Sequence, residues 1–248
     1  MATVRYPQFC ALARACELLG ERWTLLIVRE LLLGPKRFSD LRERLDGVSP
    51  SVLTERLARV ERLGLVRRAV LPRPAASTVY DLTEDGRALQ PAIFELIRWG
   101  GRFLYPPRKG ERIEPDWMRL ALAACARGGA SPPRAFLLEV RGGARAATVH
   151  VAGGPAGTVV TDCPAPADAT IVASVPMVLA LISGAMSPVA AAEAGRIEVT
   201  GDRAALNEFP QLFDVWRREQ QETTPDGLVE AEHAPTRRTP SRRGRNAR

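Results

Sequence analysis

The fold of this chain is decided by residues 38–82, which read FSDLRERLDGVSPSVLTERLARVERLGLVRRAVLPRPAASTVYDL. Two short runs with helical spacing come first, and Gly64 separates them from two β-rich runs at 65–71 and 79–82. Ser49 is placed to cap the second helix, whose first residue is Pro50, where a missing N–H costs nothing. Two helices followed by a β-hairpin predict a winged helix-turn-helix, which lays one helix in the DNA major groove.

The second of these helices has one apolar stripe and one polar face. Leu53, Leu57 and Val60 fall on the same side at about 100° per residue, and small polar and arginine side chains occupy the rest. A solvated surface is the alternative to groove entry. We predict that this helix and the loop 72–77, the wing, bind DNA. The candidates for contact with base edges are Ser49, Ser51, Thr54 and Glu55, the candidates for contact with phosphates are Arg56, Arg59 and Arg73, and Arg62 lies on the outward face.

Further helix caps lie within this unit and directly after it. Ser39 is a plausible cap for a helix over 40–45, and Thr83 for a long helix that continues through Pro91 to about Leu104. The long helix carries more apolar surface than one small domain can cover. We expect a dimer contact there, with packing on a second domain as the alternative.

The remaining sequence predicts a second, α+β domain. A proline-rich linker at 106–110 separates a first domain at 1–105 from residues 111–216, where strands and helices alternate in short lengths. The expected elements are helices at 117–127, 176–182, 188–194 and 202–216 and strands at 136–141, 146–152, 157–161, 169–174 and 196–200. The predicted class is therefore α+β, a winged helix followed by an α+β domain.

The net charge of +7 over 248 residues is unevenly spread. Residues 1–105 contain 17 arginines and lysines against 12 aspartates and glutamates, whereas residues 106–220 contain 12 of each. A basic first half beside a neutral second half is typical of a nucleic-acid-binding module joined to another domain. Residues 217–248 are arginine-rich with little to bury, so we expect a disordered tail that adds non-specific DNA affinity or is inert.

Cysteine spacing and apolar runs bear on the compartment and the partners. Four cysteines form no C-x-x-C pair, which favours a reducing, cytoplasmic setting. Residues 169–192 carry no charge, but Pro176, Gly184 and Pro188 divide them into short elements, so no membrane association is expected. No catalytic set, P-loop or metal-ligand spacing is visible, so the sequence predicts neither an enzyme nor a cofactor or metal.

The first hundred residues resemble the HxlR family of bacterial winged-helix transcription regulators. The resemblance rests on family positions in order, among them Gly20-Glu21-Arg22-Trp23-Thr24, Gly34-Pro35-Lys36-Arg37-Phe38-Ser39-Asp40-Leu41, Leu53-Thr54-Glu55-Arg56-Leu57 and Tyr80-Asp81-Leu82-Thr83-Glu84-Asp85-Gly86. It implies a homodimer that binds an inverted repeat in double-stranded DNA, with 49–62 as the recognition helix and 72–77 as the wing.

Residues 111–216 are similar to sterol carrier protein-like domains. The similarity lies in Ala167-Asp168-Ala169-Thr170-Ile171, Leu181-Ile182-Ser183-Gly184 and Gly195-Arg196-Ile197-Glu198-Val199. It implies an apolar tunnel for a hydrophobic small molecule, and the expected ligand-binding residues are Met177, Leu181, Ile182, Met186 and Val189. The alternative for each of them is an ordinary place in the core.

In the HxlR resemblance, Cys10 falls at the N-terminal cysteine that some members use to sense oxidants or electrophiles. Ala11 follows it where many members carry proline. We weigh a redox-sensing Cys10 against a buried, inert thiol and expect the latter. Apolar residues at helical spacing from Phe9 to Leu19 predict a helix here, and Cys16, on its inner face, is expected in the core.

Together these features predict a dimeric, DNA-binding transcriptional regulator, a repressor whose second domain senses a hydrophobic small molecule. One alternative is a thiol-based sensor acting through Cys10. The other is a lipid-binding scaffold protein whose winged helix does not bind DNA.

Overall fold

A computed structural model describes residues 5–70, 77–104 and 107–215. Three predictions fall outside these residues: the body of the wing with Arg73, the start of the linker, and the basic tail. All three stay predictions.

The N-terminal unit consists of helices packed on a two-stranded hairpin, and Lys36 adds a bridge to Tyr80 at the hairpin's edge. Its apolar core joins residues of the second, third and fourth helices and both strands. The elements in chain order are α1 (Ala11–Leu19), α2 (Thr24–Leu32), α3 (Phe38–Arg44), α4 (Pro50–Arg62), β1 (Val66–Val70) and β2 (Thr78–Leu82), with β1 and β2 antiparallel.

Helix α3 begins earlier than the sequence predicted. It starts at Phe38, and the Asp40 carboxylate accepts a hydrogen bond of 3.0 Å from the backbone N–H of Arg37. The prediction that Ser39 caps this helix is therefore wrong: Ser39 lies inside the first turn, and the acidic residue satisfies the free N–H before the helix.

The long helix expected after β2 is interrupted. It divides into α5 (Glu84–Arg87), α6 (Gln90–Gly100) and a 3₁₀ turn at Gly101–Phe103. Pro91 explains the break, because proline lacks the N–H of a helix interior and its ring clashes with the carbonyl four residues earlier. It is tolerated in the first turn of α6, where that N–H would have no partner.

The C-terminal unit is a five-stranded sheet with helices against it. The strands are β3 (Ala135–Gly142), β4 (Arg145–Ala152), β5 (Val159–Thr161), β6 (Ala169–Ser174) and β7 (Glu198–Gly201), in the spatial order β5-β4-β3-β6-β7. The central pair β3–β6 is parallel, and the other pairs are antiparallel. The helices are α7 (Trp117–Cys125), α8 (Val175–Ser183) and α9 (Pro188–Glu193).

The last predicted helix, at 202–216, is instead a 3₁₀ helix over Arg203–Leu212 that contains Pro210. The uncharged run 169–192 is distributed over β6, α8 and α9, as its prolines indicated. Within the three described ranges, no helix has both the length and the apolarity needed to cross a bilayer.

Candidate nucleic-acid interface and ligand domain

Helix α4 is fixed by its cap and its apolar stripe. The Ser49 hydroxyl accepts a hydrogen bond of 3.3 Å from the N–H of Val52, the predicted N-cap arrangement. Leu53, Leu57 and Val60 are fully buried in the N-terminal core, the side that the periodicity predicted. The opposite side of α4 is thereby held facing out of the unit.

Five of the predicted DNA-binding residues occupy that outward side. Ser49 and Ser51 are exposed with their hydroxyls 3.1 Å apart, and the exposed Thr54 hydroxyl donates to the Pro50 carbonyl at 2.8 Å. Glu55 and Arg62 are exposed as well. This surface presents hydroxyls, a carboxylate and a guanidinium, groups that can pair with base edges and phosphates.

Arg56 and Arg59 face the interior instead. Arg56 is buried, and its Nη1 lies 2.6 Å from Glu21 Oε2. Arg59 donates from Nη2 to the Glu17 carbonyl at 2.6 Å and pairs with Glu21 at 3.4 Å. In this arrangement both guanidiniums tie α4 to the end of α1 and the loop after it, so we assign them a positioning role in place of phosphate contact.

Two exposed arginines of the helix-turn-helix were missed from the sequence. Arg37 precedes α3, and its Nε donates to the Ser77 hydroxyl, at the base of the wing, at 2.9 Å. Arg42 is exposed on α3 and takes part in no ion pair within the described ranges. Because the first helix of a helix-turn-helix crosses the DNA backbone, their position on and beside α3 makes both arginines candidates for phosphate contact.

A buried charge cluster joins the N-terminal unit to the C-terminal unit. Glu30 of α2 is fully buried, and its Oε1 accepts hydrogen bonds from Arg29 Nη2 at 2.6 Å and from the Trp117 indole N–H at 2.7 Å. The Arg29 guanidinium also stacks on the Trp117 ring, 4.0 Å from its centroid. Trp117 opens α7, so the cluster fixes this helix on α2.

The cluster continues along α3. Arg44 lies 3.9 Å from Glu30 and 3.8 Å from the buried Glu114, and it also pairs with Asp116. Glu114 in turn lies 3.2 Å from Arg145, at the start of β4. The remaining links join Arg112 to Glu114 and the Glu43 carbonyl, and Arg145 to Glu43. Acidic and basic groups alternate across the interface, which offsets part of the cost of burying them.

Lys36 stands at the border of this cluster. Burial lowers the pKa of its ammonium group, and the nearby positive charge of Arg44 lowers it further, while Glu30 and Asp116 act in the opposite direction. Its backbone is held by the bridge to Tyr80. The start of α3 therefore lies between the hairpin and the second unit.

The five predicted ligand-binding residues lie on or beside α8 and α9 with different burial. Leu181 is fully buried in the C-terminal core, and Met177, Met186 and Val189 are partly buried against that core. Ile182 is buried and also lines an open groove of about 600 Å³ that reaches α6. The core alternative thus fits Leu181, and Ile182 has access to a cavity.

Two apolar faces of the N-terminal unit are uncovered in the single chain. Phe9, Leu12 and Cys16 follow one side of α1, and all three are exposed. Leu96, Trp99 and Phe103 are exposed along α6 and the turn after it. The other side of α6 packs on the second unit, where Arg98 Nε donates to the Ala124 carbonyl at 2.8 Å. The exposed side of α6 is thus available for a dimer contact, and its other side packs on the second domain. Each of the two predicted explanations fits one side of the helix.

The predicted burial of Cys10 and Cys16 is wrong for the single chain. Cys10 is the residue before α1 and is exposed, and Cys16 is exposed because α1 turns its side of the helix outward. Cys163 is exposed too. Burial raises the pKa of the Cys125 thiol, and the opposing charge effect of Arg98 is smaller.

Comparison with known proteins gives two family matches. Residues 18–107 match the HxlR-like helix-turn-helix family, and residues 126–214 match the SCP-2 sterol transfer family. The HTH-type transcriptional regulator YodB of Bacillus subtilis (strain 168) is 41% identical over 92 residues, which cover 37% of this chain and 82% of YodB.

Further similarities cover a similar share of the chain. The uncharacterized HTH-type transcriptional regulator YvaP of the same organism is 39% identical over 93 residues, 38% of this chain and 86% of YvaP. Among solved structures, the reduced form of YodB from B. subtilis matches with 38% identity and a TM-score of 0.35, covering 41% of this chain and 100% of that chain.

Proposed function

This chain belongs to the HxlR-like helix-turn-helix family of transcriptional regulators and carries an SCP-2 sterol transfer domain after it, and from that premise we propose that it is a homodimeric, cytoplasmic repressor. A hydrophobic ligand either releases this repressor from DNA or tightens its binding to DNA. The observation that carries the proposal is the outward face of α4, held by the Ser49 cap and the buried stripe. In this proposal Ser51, Thr54 and Glu55 read base edges, and exposed arginines bind the flanking phosphates.

Ligand binding and DNA binding are coupled through thermodynamic linkage. A ligand changes DNA affinity only by the difference in its binding free energy between the two forms of the protein. The Glu30–Arg44–Glu114 cluster and the α6–α7 contact give the C-terminal unit two attachments to the DNA-binding unit. In this mechanism, movement of either attachment alters the spacing of the two α4 helices in the dimer.

The test is selection of duplex DNA from a random pool by the full chain. We expect enrichment of an inverted repeat whose half-sites lie one or more helical turns apart, about 10 base pairs or a multiple of it. Failure to enrich any sequence would favour a lipid-binding scaffold whose winged helix contacts protein. A Ser51→Glu, Thr54→Glu variant is the matched control, since it keeps the core of α4 and places carboxylates against the DNA.

A second candidate function is thiol sensing. It is favoured by the exposed Cys10 directly before α1, next to the uncovered face of Phe9 and Leu12. Oxidant or electrophile modification of Cys10 would then alter the dimer. An unchanged response of DNA binding to diamide in a Cys10→Ser variant excludes this role.

A further inference from the structure

A groove lies where α6 of the DNA-binding unit meets the C-terminal domain. It has a volume of about 600 Å³, in the usual range for small-molecule sites, and one side is open. Its apolar lining comes from Ile182, Pro210, Phe213 and Val215, all of the C-terminal unit. Two guanidiniums also line it, Arg98 from α6 and Arg127 from the segment after α7.

Hydrogen bonds to the backbone fix both walls of the groove. The Arg127 N–H donates to the Leu212 carbonyl at 3.0 Å, and the Asp214 N–H donates to the Cys125 carbonyl at 2.7 Å. Residues 125–127 and 212–214 therefore run side by side, which fixes Arg127 and Phe213 in the same wall. Arg98 is fixed from the opposite unit by its bond to the Ala124 carbonyl.

The two guanidiniums have spare hydrogen-bonding capacity. The Nε of Arg127 is buried and makes no hydrogen bond within the described ranges, and its Nη2 lies 3.2 Å from the largely exposed Asp214 carboxylate. Arg98 pairs at 3.1 Å with Glu95, which is also largely exposed. Exposed ion pairs are weak, so an anion that brings an apolar body into the groove can compete with both carboxylates.

We propose that this groove is a composite ligand site for an amphipathic organic acid, its acidic group bound by Arg98 and Arg127 and its apolar part lying on Phe213, Val215 and Pro210. The inference rests on the proposed function and gives the ligand a class and a position. It also gives the ligand a direct contact with the DNA-binding unit, because Arg98 belongs to α6. The next residue on that helix is the exposed Trp99. A molecule bound at Arg98 acts on the same helix whose other side we propose for the dimer.

The test compares two fluorescent probes on the full chain. 8-Anilinonaphthalene-1-sulfonate carries an acidic group, and N-phenyl-1-naphthylamine has the same aromatic frame without it. We expect the wild-type protein to bind the sulfonate at least about tenfold more tightly than the amine, the size of one charge-assisted hydrogen bond. Arg98→Met and Arg127→Met should each remove most of that preference while leaving the affinity for the amine unchanged.

Two further variants serve as controls. Arg98→Lys keeps the charge and should keep part of the preference. Arg141→Met removes an exposed arginine of β3 that pairs with Glu139 and Glu198, away from the groove, and should leave it unchanged. The ratio of the two probe affinities is measured within each variant, so a change in stability does not imitate the effect.

Three outcomes overturn the inference: equal affinity for the two probes, a preference that survives both methionine variants, or no binding of either probe to the full chain. The last would mean that the groove does not accept an apolar aromatic body. Each leaves the proposed DNA function standing, because selection of DNA from the random pool is measured separately.

Discussion

At the scale of single residues, Arg56 holds the recognition helix in place. Its guanidinium is buried against Glu21 and donates from Nε to the Arg22 carbonyl at 3.2 Å. We expect Arg56→Met to lower the free energy of unfolding by about 2 kcal/mol, because Glu21 loses a partner in a poorly solvated place. Urea denaturation measures the loss, and the exposed Arg62→Met should stay within about 0.5 kcal/mol of wild type. If the variant keeps the stability of wild type and its DNA binding depends less steeply on salt, then Arg56 contacts a phosphate and does not position the helix.

Arg37 and Arg42 are the residues we expect at the DNA backbone. Each phosphate contact releases counterions, so the slope of log K against log salt falls by about 0.9 for each such contact that a substitution removes. Arg37→Gln and Arg42→Gln should each reduce the slope by about one and weaken binding similarly on all sequences. The slope is measured by titrating a fluorescent duplex at several salt concentrations, with Arg141→Gln as the control. An unaltered slope in both variants would place the backbone contacts elsewhere.

The cysteines should differ in reactivity. Burial raises the pKa of the Cys125 thiol, so less of it is thiolate at a given pH, and thiolate is the reacting form. Cys163 is exposed. With Ellman's reagent at about pH 8 in the native protein, Cys163 should react at once and Cys125 much more slowly, and denaturant should remove the difference. Cys125→Ser and Cys163→Ser variants assign the two phases, and a fast Cys125 would contradict the buried setting.

At the scale of elements, the α2–α7 contact depends on a fully buried carboxylate. Trp117→Phe keeps the ring under Arg29 and removes one hydrogen bond to Glu30. We expect a loss of about 1–3 kcal/mol in the free energy of unfolding, because a charged acceptor loses a donor that water cannot replace. Trp23→Phe is the matched control, since the Trp23 indole N–H makes no hydrogen bond within the described ranges. Equal effects of the two changes would mean that the Glu30 bond contributes nothing.

The elements show where local sequence is sufficient. Ser49, Pro50 and Gly64 fix α4 through cap, first turn and end, all within a few residues, and the helix appears as predicted. Pro91 and Pro210 mark the two places where a continuous helix was expected and a break or a 3₁₀ helix occurs. In both places the proline lacks the backbone N–H that a continuous α-helix needs, and the prediction of a continuous helix did not allow for that loss.

The candidate site shows where local sequence is insufficient. The outward position of Ser51 and Glu55 followed from the period of α4, whereas the inward direction of Arg56 depends on Glu21, 35 positions earlier in the chain. The pair of Arg44 and Glu114 joins residues still further apart, 70 positions along the chain. Periodicity identifies a side of a helix, but the partner of a flanking arginine is set by tertiary packing.

At the scale of the whole molecule, the exposed faces of α1 and α6 favour a dimer. Water contact with Phe9, Leu12, Leu96 and Trp99 is costly, and burying such side chains contributes about 25 cal/mol per Å². We expect sedimentation to give a dimer for wild type and a monomer, or a dimer at least about tenfold weaker, for Leu96→Glu with Trp99→Glu. Val159→Glu, at an exposed apolar position of the edge strand β5, is the control. A wild-type monomer at micromolar concentration would contradict this assignment.

The central claim is that α4 of a dimer recognises a specific DNA sequence. The most direct test is an anisotropy titration of the full chain, at about 150 mM salt, on the duplex enriched from the random pool and on a scrambled duplex of equal length. We predict that the enriched duplex binds at least about 10³-fold more tightly, the ratio typical of specific regulators. Equal affinity for the two duplexes would contradict the claim, since it would leave only the electrostatic attraction that any basic protein has for DNA.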